Sequence, residues 1–520
     1  MRSVICGFLL GAAALASPAR ATWYEASSEH FIIDADTSAP RIHDFAVKLE
    51  RFDAELRTLY GIKDDPSRSS NRIQLFATDT GMIQSLCGAK CPSSIRGFYN
   101  PHAGGSVIVT MPLTSSNINS DSDLTAQQAL LHEYSHHFMF SNFAGAYPMW
   151  FTEGFAEFNA NVRFEEDGSV LVGRPASYRA FGLFSSYTLS IRDLLDPPKR
   201  GLHDPATLDM IYGRGWLLVH YLMMNNERRG QLDKYLGEVN KGKPSIEAAT
   251  IAFGDLHKLD EALKAYLAAN RFVEVKVPPP EKAPRVDVKP LSPGAAAMMT
   301  VHMRSSSGVN DQQARAVLPE AEKRAAPYPD DPRVQIELAE AEFDAGNDDA
   351  ADAAADRALT VDPAERTAML YKGRVAIRRA MQSQATDAKV WAAARSWYVR
   401  ANRADPEAAL PLLLYYESYL AQNLRAPDLA VKGLEKAETL APEDSRIRWL
   451  LAARLLSDGD TAHARALLAP VAFSPHGVRG AEAARAVIDL IDGGKLAEAK
   501  AKLATDQSTA TSASGAVSKD

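Results

Sequence analysis

The stretch ALLHEYSHHF, residues 129–138, contains the spacing His-Glu-x-x-His at His132, Glu133 and His136. On an α-helix, residues four apart share a face, so both imidazoles would point the same way, as two ligands of a zinc ion do. Glu133 follows the first histidine directly, where its carboxylate could reach a water molecule on the metal. Apolar residues at helical spacing, preceded by N-cap candidates at 120–123, predict a helix here.

A second stretch, PMWFTEGFAEF at residues 148–158, supports the same hypothesis. Its proline is a good first residue for a helix, and the intervening chain leaves room for a turn and a returning helix. Glu153 could then be a third metal ligand, and Gly154 would let the backbone approach closely. Glu157, one helical turn later, could accept the free N–H of a ligating histidine.

Together the two stretches resemble the gluzincin metallopeptidases, and most of all the branch called peptidase MA-like. Residues 211–216, IYGRGW, resemble the Y-x-K-G segment of the gluzincin aminopeptidases, with Arg214 in place of lysine. By that resemblance Tyr212 would stabilise an oxyanion. The resemblance covers roughly residues 30–270 and implies an α+β zincin-like domain with one zinc ion per chain, held by His132, His136 and Glu153.

The chemistry implied is hydrolysis of a peptide bond. Zinc with three protein ligands keeps an open position for water, and Glu133 would take the proton of that water as general base. Residues 104–111 lack the glutamate with which aminopeptidases of this type hold a substrate's amino terminus, so we expect an endopeptidase. In the resembled family this strand lies at the sheet edge and pairs with the substrate backbone, and an ordinary edge strand is the alternative. Hydrolysis of another amide or of an ester is also open.

The chain start and the composition predict an exported protein. Residues 1–21 have a positive start, a short apolar core and an Ala-x-Ala site ending at Ala21, which is typical of a secretory signal peptide; a retained N-terminal anchor is the alternative. The net charge of −7 argues against nucleic acid as a partner. No later run is apolar enough to span a membrane, so we expect a soluble secreted or periplasmic protein.

Two cysteines follow the signal segment. Cys87 and Cys91 lie in a short loop, and an oxidising compartment favours a disulfide between them, with two free thiols as the alternative. Neither has Cys or His partners at zinc-binding spacing.

The first 272 residues read as mixed strand and helix. We expect the peptidase-like domain at 22–272, and then a proline-rich linker at 273–294 that favours extended chain. Within the domain, the patterns predict strands at 30–34, 72–77 and 105–111, a β-hairpin with an Asp-Gly turn at 161–172, and mostly loop at 173–205. They predict further helices at 41–59, 210–225, 232–241 and 256–272.

Residues 295–503 are alanine-rich and helical, and the pattern repeats. With Pro332 as the first position of a 34-residue unit, small residues and turn residues fall where tetratricopeptide repeats (TPR) place them. We expect irregular spacing, with an insertion near 381–389; a generic helical solenoid is the alternative. Residues 504–520, rich in Ser, Thr and Ala, are expected to be a disordered tail.

Two functions from different classes follow from this organisation. The first is an exported zinc endopeptidase whose repeats dock protein substrates or partners. The second is an interaction scaffold in which the repeats act and the zincin-like domain is inactive. Each site residue also has a simpler explanation: His132 and His136 as core histidines, Glu157 as a surface carboxylate and Tyr212 as a packed helix tyrosine.

Overall fold

A computed structural model of the chain describes residues 23–87, 95–111, 125–143, 145–184, 189–197, 204–473 and 480–512, with side chains through residue 504. The predicted signal segment and Cys91 lie outside this range. Cys87 is disulfide-bonded, and its partner also lies outside the described residues. Among the helices of the described ranges, none has the length and apolar character needed to cross a bilayer.

The described strands form two sheets in the first 290 residues. The larger has the order β4-β5-β3-β2-β1-β9, in which β2, β3 and β5 run parallel and the other pairs are antiparallel; the smaller has the order β6-β7-β8. The strands are β1 (Trp23–Ser27), β2 (Phe31–Asp36), β3 (Ile73–Ala77), β4 (Gly97–Asn100), β5 (Val107–Thr110), β6 (Arg163–Phe164), β7 (Val170–Val172), β8 (Val275–Val277) and β9 (Asp287–Pro290).

The helices of this mixed part include all those that the sequence predicts. The region 173–205, expected to be mostly loop, differs: it also holds two short helices and a 3₁₀ turn at Ser177–Arg179. The helices are α1 (Ala39–Tyr60), α2 (Thr80–Cys87), α3 (Ala126–Asn142), α4 (Met149–Ala160), α5 (Ala180–Phe184), α6 (Ile191–Leu195), α7 (Pro205–Met224), α8 (Gln231–Asn240), α9 (Ser245–Phe253) and α10 (Leu256–Ala269).

Both faces of the larger sheet are covered. Leu75 and Ile108 pack in a core with α1 and α3, whereas Phe76 and Val107 pack on the opposite face. Successive residues of a strand point to opposite faces, and central parallel strands are buried on both. The second face is covered by Met299 and by other side chains of the first helix after the linker.

The order of the sheet corrects one expectation. The strand at 105–111 was expected at the edge, but β5 lies between β3 and β4, and β4 is the edge strand. The chain turns back between β4 and β5 through Gly105, whose φ of 109° suits glycine and whose N–H donates to the His102 carbonyl. The four residues of β4 carry no alternating pattern, so the sequence did not indicate this strand.

The predicted linker at 273–294 is extended but is not a free tether. β8 pairs with β7 of the small sheet, and β9 pairs with β1 at the edge of the large sheet. Edge strands have unpaired backbone groups, which an extended segment can satisfy by adding one more strand. The segment is therefore part of the fold of the first 290 residues.

The rest of the described chain is a helical array, as the repeat pattern predicts. Neighbouring helices pair through short turns, and α15 runs 17 residues against 13 in α13, which accounts for the expected irregularity near 381–389. The helices are α11 (Pro293–Ser306), α12 (Asp311–Ala325), α13 (Pro332–Asp344), α14 (Asp348–Val361), α15 (Arg366–Gln382), α16 (Ala388–Ala404), α17 (Ala409–Ala421), α18 (Asp428–Leu440), α19 (Ser445–Asp458), α20 (Thr461–Ala472), α21 (Ala481–Asp492) and α22 (Leu496–Ser512).

Small side chains let these helices approach closely. Ala339 of α13 and Ala351 and Ala358 of α14 are fully buried in one cluster. Helix α22 runs from Leu496 to Ser512, so it crosses the predicted boundary at 503, and it packs against α19 and α21.

The array is docked on the mixed part rather than held apart from it. Arg333 at the start of α13 binds Glu25 and Asp34 of the large sheet, and Asp444 before α19 accepts a hydrogen bond of 2.7 Å from the N–H of Ala103. Buried side chains of α19 to α22 also join the core of the mixed part. The molecule is thus mostly helical, with a small sheet region near its start and a repeat array wrapped against it.

Candidate functional site

Helix α3 carries the His-Glu-x-x-His stretch and has a well-defined start. Thr125 accepts a hydrogen bond from the Gln128 N–H at 3.1 Å, and the Gln128 side chain accepts one from the Thr125 N–H at 3.0 Å. This reciprocal capping box satisfies two backbone donors at the helix start. The N-cap candidates at 120–123 lie outside the described residues, and Thr125 takes that role.

Helix α4 returns beside α3 and presents the second stretch. Its start follows Pro148, and it packs against both α3 and α7. Gly154 makes the contact with α7 possible, because a Cβ there would lie 2.5 Å from the carbonyl carbon and oxygen of Gly215. Gly215 is equally constrained, since its own Cβ would lie 2.6 Å from the Trp150 carbonyl oxygen. The glycine pair sets how deeply α4 sits between its neighbours.

The three predicted metal ligands meet at one buried point. His132 Nε2 and His136 Nε2 lie 3.1 Å apart. Glu153 Oε2 lies 3.3 Å from His132 Nε2 and 3.6 Å from His136 Nε2. His136 and Glu153 are fully buried, and His132 is 7% exposed. Two helices that are distant in sequence therefore bring two imidazole nitrogens and one carboxylate oxygen together.

Glu157 lies on the far side of the His132 ring. Its Oε1 is 3.3 Å from His132 Nδ1, and the side chain is fully buried, so the alternative of a surface carboxylate is wrong. Tyr178 donates to Glu157 Oε2 at 2.5 Å, and Arg179 donates to Oε1 at 2.6 Å and 3.1 Å. Glu157 thus orients His132 and is itself held by two further side chains.

Tyr212 of α7 lies beside the same histidine. Its ring stacks on His132, with centroids 5.7 Å apart and an angle of 29° between the planes. The guanidinium of Arg179 lies 4.7 Å from the Tyr212 ring centroid. Arg214, at the lysine position of the resembled segment, is buried and pairs with Asp260 at 2.7 Å. Arg214 is therefore a structural residue of the α7–α10 contact.

Glu133 is half-buried, between the buried His132 and Tyr134. Its charge is close enough to raise the pKa of both Tyr212 and Tyr99, although burial is the larger cause of those two shifts. Glu133 is thus less buried than its neighbours on α3, and its carboxylate is within electrostatic reach of Tyr212 and of Tyr99 on the edge strand β4.

The electrostatics of the site favour a positive charge at His132. Burial alone would lower the pKa of His132, but the carboxylates of Glu153 and Glu157 outweigh it and raise that pKa to about 10. Burial lowers the pKa of His136. Burial also opposes ionisation of Glu157, yet the charge of Arg179 and the hydrogen bond with His132 bring its pKa down to about 2. The carboxylates of Glu153 and Glu157 therefore surround His132 with negative charge.

The geometry of the donor set fits zinc. Ligand atoms about 2.0–2.1 Å from a tetrahedral zinc ion lie roughly 3.3–3.4 Å from one another. The three separations between His132, His136 and Glu153 span 3.1 to 3.6 Å. Two imidazoles and one carboxylate are also a donor set that zinc enzymes use, and Glu157 supplies the carboxylate that such histidines commonly contact through their other nitrogen.

Among the histidines that the structure describes, only His132 and His136 belong to this cluster. His137, on the next face of α3, lies 2.9 Å from the Tyr99 hydroxyl, and burial lowers its pKa to about 3. His220 is a core residue between the Gly173 carbonyl and the Tyr266 hydroxyl. His102 sits in the β4–β5 turn, and His203 lies outside the described residues.

Tyr178 and Arg179 are the site residues that sequence analysis missed. They lie in the region expected to be loop, where a 3₁₀ turn places them over Glu157. No motif singles them out, and their role depends on a contact with a distant helix. Only the composition of the pair, a phenol beside a guanidinium, hints at binding a carboxylate.

Comparisons with known proteins add little. No family model matches the chain, and no curated protein matches it. Among solved structures, a thermophilic TPR protein of Thermus thermophilus is similar with a TM-score of 0.31 and 20% identity, over 38% of this chain and 98% of that one. A likeness of this size supports no inference about function.

Proposed function

We propose that the mixed part is a zinc metallopeptidase of the gluzincin type, peptidase MA-like. His132, His136 and Glu153 would hold one zinc ion. The observation that carries this proposal is the convergence of their three donor atoms, buried and 3.1 to 3.6 Å apart. Core histidines need no such arrangement, because a buried imidazole is satisfied by ordinary hydrogen-bond partners, as His220 is here.

The chain's own residues divide the work of hydrolysis. When bound, zinc would supply a Lewis acid that lowers the pKa of water and polarises a carbonyl. Glu133, the partly exposed carboxylate beside His132, accepts the proton of the attacking water and later delivers it to the leaving nitrogen. Tyr212 donates a hydrogen bond to the carbonyl oxygen as that oxygen gains negative charge. Glu157 keeps the His132 ring oriented.

An endopeptidase remains the better expectation for specificity. The edge strand is β4 and not β5, yet the four residues of β4 are Gly, Phe, Tyr and Asn, so this strand too lacks an acidic group for a substrate's amino terminus. An edge strand near the site could pair with an extended substrate by adding a strand to the sheet. The helical array would bind protein substrates or partners. The signal segment would direct export of the protein.

The test is metal content together with activity. We expect purified wild-type protein to hold zinc, and His136→Ala to hold about one zinc ion per chain less, measured by elemental analysis. Glu133→Gln should keep the zinc of the wild type and lose hydrolysis of an unfolded protein substrate such as casein. Equal zinc in wild type and His136→Ala, or full activity in Glu133→Gln, would contradict the proposal.

A second candidate function is an interaction scaffold with an inactive zincin-like domain. It is favoured by the extent of the helical array, which makes up the described part of the chain from Pro293 to Ser512. Helical repeats stack into extended surfaces that commonly bind other proteins. In cells that depend on this protein, a scaffold predicts that Glu133→Gln restores function as well as the wild type does, whereas the peptidase hypothesis predicts that it fails.

A further inference from the structure

A second cluster of metal-ligating side chains lies at the start of the helical array. His302 is on α11, and Glu337 and Glu340 are on α13, one turn apart. One ring nitrogen and one oxygen from each carboxylate lie within 4.8 Å of one another. His302 Nδ1 is 2.7 Å from Glu337 Oε1. The cluster lies behind the large sheet, away from the site on α3, since the His302 ring packs edge-on against Phe76 of β3.

Two buried carboxylate oxygens at this place have no hydrogen bond within the described residues. Glu337 is 4% exposed, and its Oε2 has no hydrogen-bond partner. Asp34 of β2 is fully buried, and its Oδ1 also has no hydrogen-bond partner within the described residues. Asp34 and His302 are close enough for their charges to interact. A buried carboxylate oxygen without a hydrogen-bond partner is costly, so the free Oε2 of Glu337 is available as a further ligand atom at this cluster.

Nearby protein cations are already engaged. Arg333 of α13 binds Glu25 at 2.7 Å and Asp34 Oδ2 at 3.1 Å, which leaves Asp34 Oδ1 aside. Arg374 of α15 lies over the Tyr371 ring and interacts with Asp344, one turn beyond Glu340. Arg333 and Arg374 lie within electrostatic reach of Glu337 and Glu340, but within the described residues neither arginine forms an ion pair with these two carboxylates.

We propose that His302, Glu337 and Glu340 bind a divalent transition-metal ion, Zn²⁺ or Mn²⁺, that joins α11 to α13. Carboxylates alone suit Ca²⁺ and Mg²⁺, whereas an imidazole in the set favours a transition metal. The ion has a structural role. It fastens the first two helical pairs together where α11 covers the sheet and Arg333 anchors α13 to it.

The test uses the full chain with the first site disabled. We expect His136→Ala, dialysed against Zn²⁺ or Mn²⁺ and then against metal-free buffer, to retain about one ion per chain and to melt at a higher temperature than its metal-free form. Adding Glu337→Gln to the His136→Ala variant should remove both the retained ion and the increase in melting temperature. Adding Glu342→Gln is the matched control, because Glu342 is an equally buried glutamate of α13 that binds Asn347 instead.

The outcomes separate the possible occupants. Burial and the charge of Asp344 raise the pKa of Glu340 to about 8, so a proton is the competing occupant. Retained metal that is lost with Glu337→Gln, or with Glu340→Gln if the first variant does not fold, supports the proposal. The proposal is overturned if His136→Ala retains no ion, or if the ion is kept after both Glu337→Gln and Glu340→Gln. This result is independent of whether the first site hydrolyses peptides.

Discussion

Arg179 connects the two halves of the candidate site. It holds Glu157, which faces one nitrogen of His132, and it lies over Tyr212, which stacks on the same ring. Its pKa is raised, because the charge of Glu157 outweighs the effect of burial. A single guanidinium therefore fixes both the carboxylate that orients a metal ligand and the tyrosine proposed to bind the oxyanion.

Arg179→Lys tests this role, since lysine keeps the charge but cannot make the forked contact. We expect zinc affinity to fall about 10–100-fold, as when a carboxylate supporting a metal-bound histidine loses its orientation. Competition against a coloured chelator measures it. Arg163→Lys, at an exposed arginine paired only with Glu165 in the described structure, should leave the affinity unchanged. Equal affinity in both variants would show that Glu157 needs no help from Arg179.

His30 links the start of β2 to α1 through carboxylates. Its Nδ1 lies 2.7 Å from Glu50, and its Nε2 lies 3.2 Å from Asp64. Burial alone would lower the pKa of His30, but the charge of Asp53 and these two contacts outweigh it and raise the pKa to about 11. The charged imidazole is thus a stabilising group of the folded state.

The pH dependence of stability follows from that shift. The folded pKa lies above the unfolded value of about 6.5, so the stabilisation is complete below pH 6.5 and is lost as pH rises toward 11. Between pH 7 and 9 the free energy of unfolding of wild type should fall by roughly 2 kcal/mol relative to His30→Gln, measured by urea denaturation. Parallel pH profiles of the two proteins would mean that His30 is neutral when folded.

At the scale of elements, the site depends on how closely α4 and α7 approach. The two helices touch through backbone at Gly154 and Gly215, and this contact places Glu153 against α3 and Tyr212 against His132. Any side chain at the crossing would therefore require one helix to move.

Gly154→Ala is the matching prediction. The new Cβ would lie 2.5 Å from the Gly215 carbonyl, so the helices must shift, which should lower the free energy of unfolding by about 1–3 kcal/mol. Gly237→Ala on α8 is the control: nothing lies within 4 Å of its Cβ, and alanine in a helix should raise stability by about 0.5–1 kcal/mol. Chemical denaturation compares the two. Stabilisation by both changes would rule out the close crossing.

At the scale of the whole molecule, Asp444 joins the array to the sheet region. Its Oδ1 caps α19 by accepting from the N–H groups of Arg446 and Ile447, and its Oδ2 accepts from the Ala103 N–H. The neighbouring Glu443 reaches Ser141 at the end of α3. The helix that carries the candidate site thus ends against the array.

Asp444→Ala should cost more than the loss of a helix cap. We expect a loss of roughly 2–4 kcal/mol, from the cap and from leaving the buried Ala103 N–H without its acceptor. Asp255→Ala removes a similar two-donor cap from α10 at an exposed place, where no buried donor is left without an acceptor, and should cost clearly less. Thermal and urea unfolding of both variants measure the difference. An equal cost would mean that the array and the sheet region are held by other contacts.

The sequence by itself determined the parts of this protein whose signals are local. Helical spacing placed His132 and His136 on one face of α3, short apolar runs bounded by turn residues indicated β2, β3 and β5, and small residues at repeat spacing indicated the helical array. The returning helix with Glu153 and Glu157 followed from a second local pattern. These features are visible in the sequence because each one depends on residues close in the chain or on a regular repeat.

Only the tertiary structure decided which distant residues meet. The edge position of β4, the pairing of the 273–294 segment, the placement of Arg179 over Glu157 and the docking of α11 on the sheet all join segments far apart in the chain. Their stabilisation comes from buried area and from paired charges, which depend on the packed arrangement and leave no periodic signal in the sequence.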